Sequence, residues 1–134
     1  MNEEFDLICH YCAVNRLSSN LQKTHYMLIT SARKKVKKIK IANIEQKSYI
    51  KYLGIYLDEH FDWEQQIRHV NNKIAKNTGL INKRRYFLDL KMLKQLYYTL
   101  VYPYINYGLM SWGNIYTSKL TNIRTKQNNC VFYI

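Results

Sequence analysis

The chain has 134 residues, enough for one small domain with a single core. A hydrophobic fraction of 47%, with four Gly and one Pro, excludes global disorder, a flexible linker and a collagen-like segment. Its 21 Lys and Arg against 9 acids give a net charge of +12, which favours an anionic partner, nucleic acid first and an acidic membrane or protein surface second; a lysine-rich composition with no partner is the plain alternative.

In chain order, residues 3–20 read as a helix. Phe5, Ile8, Cys9, Cys12, Ala13 and Leu17 fall at helical spacing, and Glu3, Glu4 and Asp6 suit the positive end of the helix dipole. Cys9-His10-x-Cys12 carries soft metal donors. A structural zinc site needs four, and His25, His60, His69 and Cys130 are scattered without a second pair, so thiols packed on a helix face are the expectation. Three Cys, an odd number, read as free thiols in a reducing compartment, and the acidic opening MNEEFD argues against a secretory signal or transit peptide. An intracellular protein of nucleus or cytoplasm is expected. No membrane association is expected either, because no run reaches the roughly 18 apolar residues that a span needs.

A polar turn over 20–24 leads into a short strand over 26–30. Six basic residues lie between Arg33 and Lys40, a run that binds nucleic acid or forms a solvated hairpin tip. Ile39 and Ile41 alternate with Lys38 and Lys40 as the start of a strand with one wet face, and 44–48 reads as a turn.

The chain is organised around residues 51–85. Residues 49–57 read as one half-buried strand, in which Leu53, Ile55 and Leu57 alternate with Tyr52, Gly54 and Tyr56. After a polar break at 58–62, Asp62 stands where an N-cap belongs, with Gln65 three residues on. Trp63, Ile67, Val70, Ile74 and Ile81 then form one apolar helical face, while Arg68, His69, Lys73, Lys76, Lys83, Arg84 and Arg85 lie mostly off it. Residues 86–88 break the helix and Asp89 caps the next, whose stripe is Leu90, Leu93, Leu96, Tyr97, Leu100 and Val101, stopped or kinked at Pro103. Residues 104–112 predict a short buried helix. Thr117 or Ser118 caps a last one with Leu120, Ile123, Cys130 and Val131 inward. No acid occurs after Asp89.

Tyr52-Leu53-Gly54-Ile55-x-Leu57-Asp58, then Trp63-x-x-x-Ile67 and a helix with spaced Lys, resembles the reverse transcriptases of non-LTR retrotransposons, the jockey-like group especially. Three further stretches are similar to that family in the same order. They are Asn15-Arg-Leu-Ser-Ser-Asn20-Leu-Gln-Lys23-Thr24-x-Tyr-Met27, then Leu96-Tyr97-x-x-Leu100-Val101-Tyr-Pro103-x-Ile105-x-Tyr107-Gly108 with Trp112-Gly113, and the segment from Gln127 to Ile134. Tyr11, Ser19 and Phe132 depart from the usual Trp, Leu and Arg.

The resemblance implies a palm-edge and primer-grip-like segment over 1–58 and a helical thumb-like segment over 59–134, two parts of one fragment. The fold implied is α+β: an N-terminal helix and small antiparallel sheet followed by a helical thumb-like bundle. Lys23 matches a lysine near the incoming nucleotide's phosphates, and Leu53 and Gly54 match the primer-grip tip. Arg68, His69, Lys73 and Lys76 would meet the phosphates of an RNA/DNA or DNA duplex without reading sequence. Polymerisation needs two metal ions held by carboxylates, and the intact family enzyme uses Mg²⁺. This chain has no Asp-Asp pair; its adjacent acids are Glu3-Glu4 and Asp58-Glu59. No catalytic residue, metal ligand, cofactor or small-molecule substrate is therefore expected in it, and alone it should be inactive as an RNA-directed DNA polymerase. The alternatives are an autonomous basic nucleic-acid-binding module and a non-functional relic.

Overall fold

The computed structural model describes residues 2–31, 41, 44–114 and 117–132. The basic run between Arg33 and Lys40 and the strand start at Ile39 lie outside the described residues. The fold is α+β. It divides into two compact units: Met1–Ile50 with Asp58–Phe61, and Lys51–Leu57 with Asp62–Ile134.

In the first unit, helix α1 spans Asn2–Val14, shorter than the periodicity predicts. Arg16 turns left-handed with φ 57°. Its N–H reaches the Ala13 carbonyl at 3.1 Å while the Leu17 N–H reaches that of Cys12 at 2.8 Å, a Schellman close that satisfies the last carbonyls before the apolar pattern has run out. Leu17 thus leaves the predicted helix, and Ile8 is exposed, while Phe5, Cys9 and Cys12 are half-buried. The predicted turn at 20–24 is built on Asn20, whose side chain accepts from the Lys23 N–H at 3.2 Å and whose carbonyl accepts from the Thr24 hydroxyl at 2.8 Å. Strand β1 is His25–Tyr26 and pairs in parallel with β2, Glu45–Gln46, which the sequence suggests as part of a turn. Side-chain pairing supports a strand where propensity does not: His25 lies 3.7 Å from Glu45, and the Tyr26 hydroxyl lies 3.4 Å from the Gln46 amide oxygen.

Strands β3 (Tyr49–Tyr52) and β4 (Ile55–Asp58) form the second two-stranded sheet, joined by Leu53 and Gly54 alone and so antiparallel. The single alternating strand predicted across 49–57 is in fact this hairpin. Leu53 at φ 46° and Gly54 at φ 85° give the left-handed pair that a type I′ turn requires.

Helix α2, Glu64–Arg84, is the centre of the second unit. Ile67, Val70, Ile74 and Ile81 are buried as their spacing predicts, and Trp63 packs against them from the helix entrance. The predicted Asp62 cap is not the one formed. Trp63 is the N-cap residue, left-handed at φ 58°, and its carbonyl takes the Ile67 N–H at 2.9 Å, because seating the indole on the core fixes how the chain enters the helix. Helix α3, Leu90–Leu100, begins as predicted, with the Asp89 carboxylate accepting from the Met92 N–H at 2.9 Å. Asp89→Ala should lower stability by about 1 kcal/mol, read as a lower urea midpoint at unchanged slope.

Residues 102–112 form two short helices in place of the one predicted, α4 (Tyr102–Asn106) and α5 (Leu109–Trp112), because Gly108 between them is left-handed at φ 67°. Helix α6, Thr117–Phe132, packs mainly along α2 and turns Ile123 and Cys130 inward, with Leu120 beside them. Val131, predicted inward, is exposed. The Gln127 amide donates to the Tyr97 hydroxyl at 2.9 Å, and Lys126 Nζ to the Asn71 carbonyl at 3.3 Å, so α6 is tied to both α3 and α2. Burial pushes the Cys130 thiol up, with the Thr78 hydroxyl pulling it partly back. Every buried residue among those described lies between Gln66 and Cys130, in this second unit. No described helix is long and apolar enough to cross a membrane.

Candidate nucleic-acid interface

The turn of the β3–β4 hairpin is held by the helical side of its own unit. The Tyr107 hydroxyl donates to the Leu53 carbonyl at 2.5 Å. A Cβ at Gly54 would stand 3.3 Å from the Tyr107 ring, so glycine serves both the left-handed φ and the close approach. On the other strand, the Tyr56 N–H donates to the side-chain oxygen of Gln66 at 3.1 Å. Gln66 is buried among apolar neighbours on α2, and this bond supplies the partner that a buried amide needs. Two polar anchors therefore fix where the hairpin stands over α2 and α4.

Between them lies a cavity of about 360 Å³. Lys51 and Gly54 line it from the hairpin, Gln66, His69 and Lys73 from α2, and Tyr104 and Tyr107 from the α4 end. Among the described residues its lining includes no carboxylate. Both lysines are laid on tyrosine rings: Lys51 Nζ is 5.5 Å from the Tyr56 centroid, and Lys73 Nζ is 5.6 Å from that of Tyr104. Such contacts hold an ammonium in place without neutralising it. The His69 ring packs on Tyr56 with centroids 5.1 Å apart. Burial holds its pKa below the ordinary imidazole value, and the charges of Lys73 and Lys51 lower it further. The result is a pocket with two fixed positive charges and a neutral imidazole that an anion would help to protonate.

Of the residues singled out in the sequence, Gly54, His69 and Lys73 come together here. Leu53 presents its carbonyl to Tyr107 and leaves its side chain exposed at the tip. Lys76 is exposed one turn beyond Lys73 on α2 and does not line the cavity. Arg68 points elsewhere. At about 100° per residue it sits roughly a quarter-turn from His69, and it faces Glu64 at 3.7 Å, a surface pair of small energetic value. Lys23 belongs to the first unit, exposed in the Asn20 turn. Lys51, Tyr56, Gln66, Tyr104 and Tyr107 are additions that sequence reasoning missed. Tyr104 and Tyr107 carried a signal, two tyrosines one helical turn apart in a stretch, 95–118, that has no charged residue, but nothing local linked them to a turn 54 positions away. Among the described residues, no group of three or more His, Cys, Asp or Glu is placed to hold a metal ion.

Comparison with protein-family models, with curated proteins and with solved structures finds no match to this chain.

Proposed function

We propose that this chain is a duplex-gripping segment of an RNA-directed DNA polymerase of the non-LTR retrotransposon kind, one that holds template and primer through their phosphates and carries none of the polymerase's metal-binding aspartates. The observation that supports this reading best is the seating of the Leu53–Gly54 turn on Tyr107, beside a carboxylate-free cavity walled by Lys51, His69 and Lys73. A tight turn braced against a helical segment can place backbone close to a nucleic-acid strand, and the neighbouring cations give charge without base edges to read. Magnesium enters this reading only through the parts of such an enzyme that hold aspartates.

Fluorescence anisotropy of the full chain with an RNA/DNA hybrid tests it. Log affinity should fall linearly with log salt and be indifferent to sequence. Lys73→Gln with Lys76→Gln should make the slope shallower by about 2, near one unit for each lysine taken off a phosphate. A folded, soluble chain that fails to bind even at low salt would sink the reading.

A second reading, an autonomous basic binding module, is favoured by one observation: the second unit contains all of the described buried core. Residues 51–134 expressed alone would then melt cooperatively and bind the hybrid as the full chain does. Failure of that piece to fold would return the choice to the first reading.

A further inference from the structure

We propose that the cavity among the Leu53–Gly54 turn, α2 and α4 is a site for a terminal nucleotide, with its phosphomonoester on Lys51, Lys73 and His69 and its base against the tyrosine wall of Tyr104 and Tyr107. The inference rests on the reading of this face as a phosphate grip, and it goes further in naming an end group as the occupant.

Three observations carry it. First, the cavity of about 360 Å³ falls in the range of roughly 300–1,000 Å³ typical of small-ligand sites, and it is far larger than one phosphate group. A terminal phosphomonoester brings three free oxygens to such a site, whereas an internal phosphodiester has two and a single charge. Second, the charges match. A phosphomonoester carries about −1.5 to −2 near neutral pH and offers three acceptor oxygens. The site offers two lysines already held on tyrosine rings, and an imidazole, with no lining carboxylate to oppose the anion. Third, Tyr104 and Tyr107 bring two aromatic rings to the lining, and bases stack on such rings whatever their identity.

The titratable groups around His69 are Lys51 from β3, Tyr56 from β4, Lys73 from its own helix, Tyr104 from α4 and Tyr107 just after it. Burial favours the neutral form of the free imidazole, and the charges of Lys73 and Lys51 act in the same direction. A bound dianion reverses the field, raises the His69 pKa and draws in a proton. A pKa raised on binding means affinity that strengthens as pH falls through the bound-state pKa, until the phosphate's own second pKa of about 6 begins to remove the dianion.

Calorimetric titration of the full chain with adenosine 5′-monophosphate, adenosine and inorganic phosphate tests the site. The monophosphate should bind about tenfold more tightly than either fragment, since one base–aromatic stack and one charge-paired phosphate are each of that order. Lys73→Gln should weaken it about tenfold, and His69→Gln should remove the strengthening at lower pH while leaving the phosphate's own titration in place. Equal affinity for monophosphate and adenosine, or a pH response unchanged in His69→Gln, would overturn the proposal. The hybrid titration separates this from the underlying reading. Hybrid binding without monophosphate binding overturns the terminal-nucleotide site alone, and absence of both overturns the phosphate grip with it.

Discussion

Replacing Trp112 with alanine should lower the unfolding free energy by about 3–5 kcal/mol, the range for emptying a large aromatic site in a packed core. Trp112 is 1% exposed and is the largest of the fully buried side chains. It comes from α5, a helix of four residues that has little stability of its own. The indole N–H also donates to the Tyr107 carbonyl at 2.9 Å, and that carbonyl would be left without its partner. The truncation therefore removes apolar area and frees the segment that carries Tyr107. Denaturant unfolding should show a much lower midpoint. Trp112→Phe, which keeps most of the ring volume but not the donor, should recover much of the stability. A change under about 1 kcal/mol in the alanine variant would mean that α5 does not close the core.

Gly108→Ala should lower stability by roughly 2–5 kcal/mol, from two separable sources. The residue sits at φ 67°, where an L side chain costs about 1–2 kcal/mol. A Cβ there would also run into Ile55 Cδ1 and stand 3.2 Å from its Cγ1, an overlap that overpacks by about 1–3 kcal/mol. Ile55→Val deletes the nearer atom. The double variant should regain the steric part while keeping the conformational part, so the two substitutions would be non-additive in a thermodynamic cycle. Strict additivity would show that Gly108 and Ile55 do not meet. Because Ile55 directly follows the Leu53–Gly54 turn, the single variant should weaken hybrid binding as well as stability.

Much of the second unit was legible because its helices obey one rule, apolar residues on one face. Ile67, Val70, Ile74 and Ile81 on α2, and Leu93 and Tyr97 on α3, are buried where their period puts them. The Asp89 cap was readable for the same reason, being a local bond between residues three apart. The misses are places where distant partners overrule local preference. Trp63 displaced Asp62 as the N-cap because an indole seated on the core outweighs a carboxylate cap. Glu45 and Gln46 became a strand through His25 and Tyr26, some twenty positions earlier. The candidate site shows the same division. Its α2 cations followed from the helix pattern, but Tyr107 over Gly54 and Gln66 under Tyr56 depend on the closed fold and leave no periodic trace.

The pairing of α2 mainly with α6 also governs when this unit can form. The face made by Ile67, Val70, Ile74 and Ile81 leaves the ribosome well before Ile123 and Cys130, which cover it. At about 5–20 residues per second, that wait lasts on the order of 2–10 seconds. Throughout it a cationic, half-greasy helix stands without its cover, able to meet RNA or another nascent copy. Closing so long a loop adds only a modest entropic penalty at equilibrium, so the consequence is one of timing: the cationic side of α2 is synthesised before the residues that cover its apolar side.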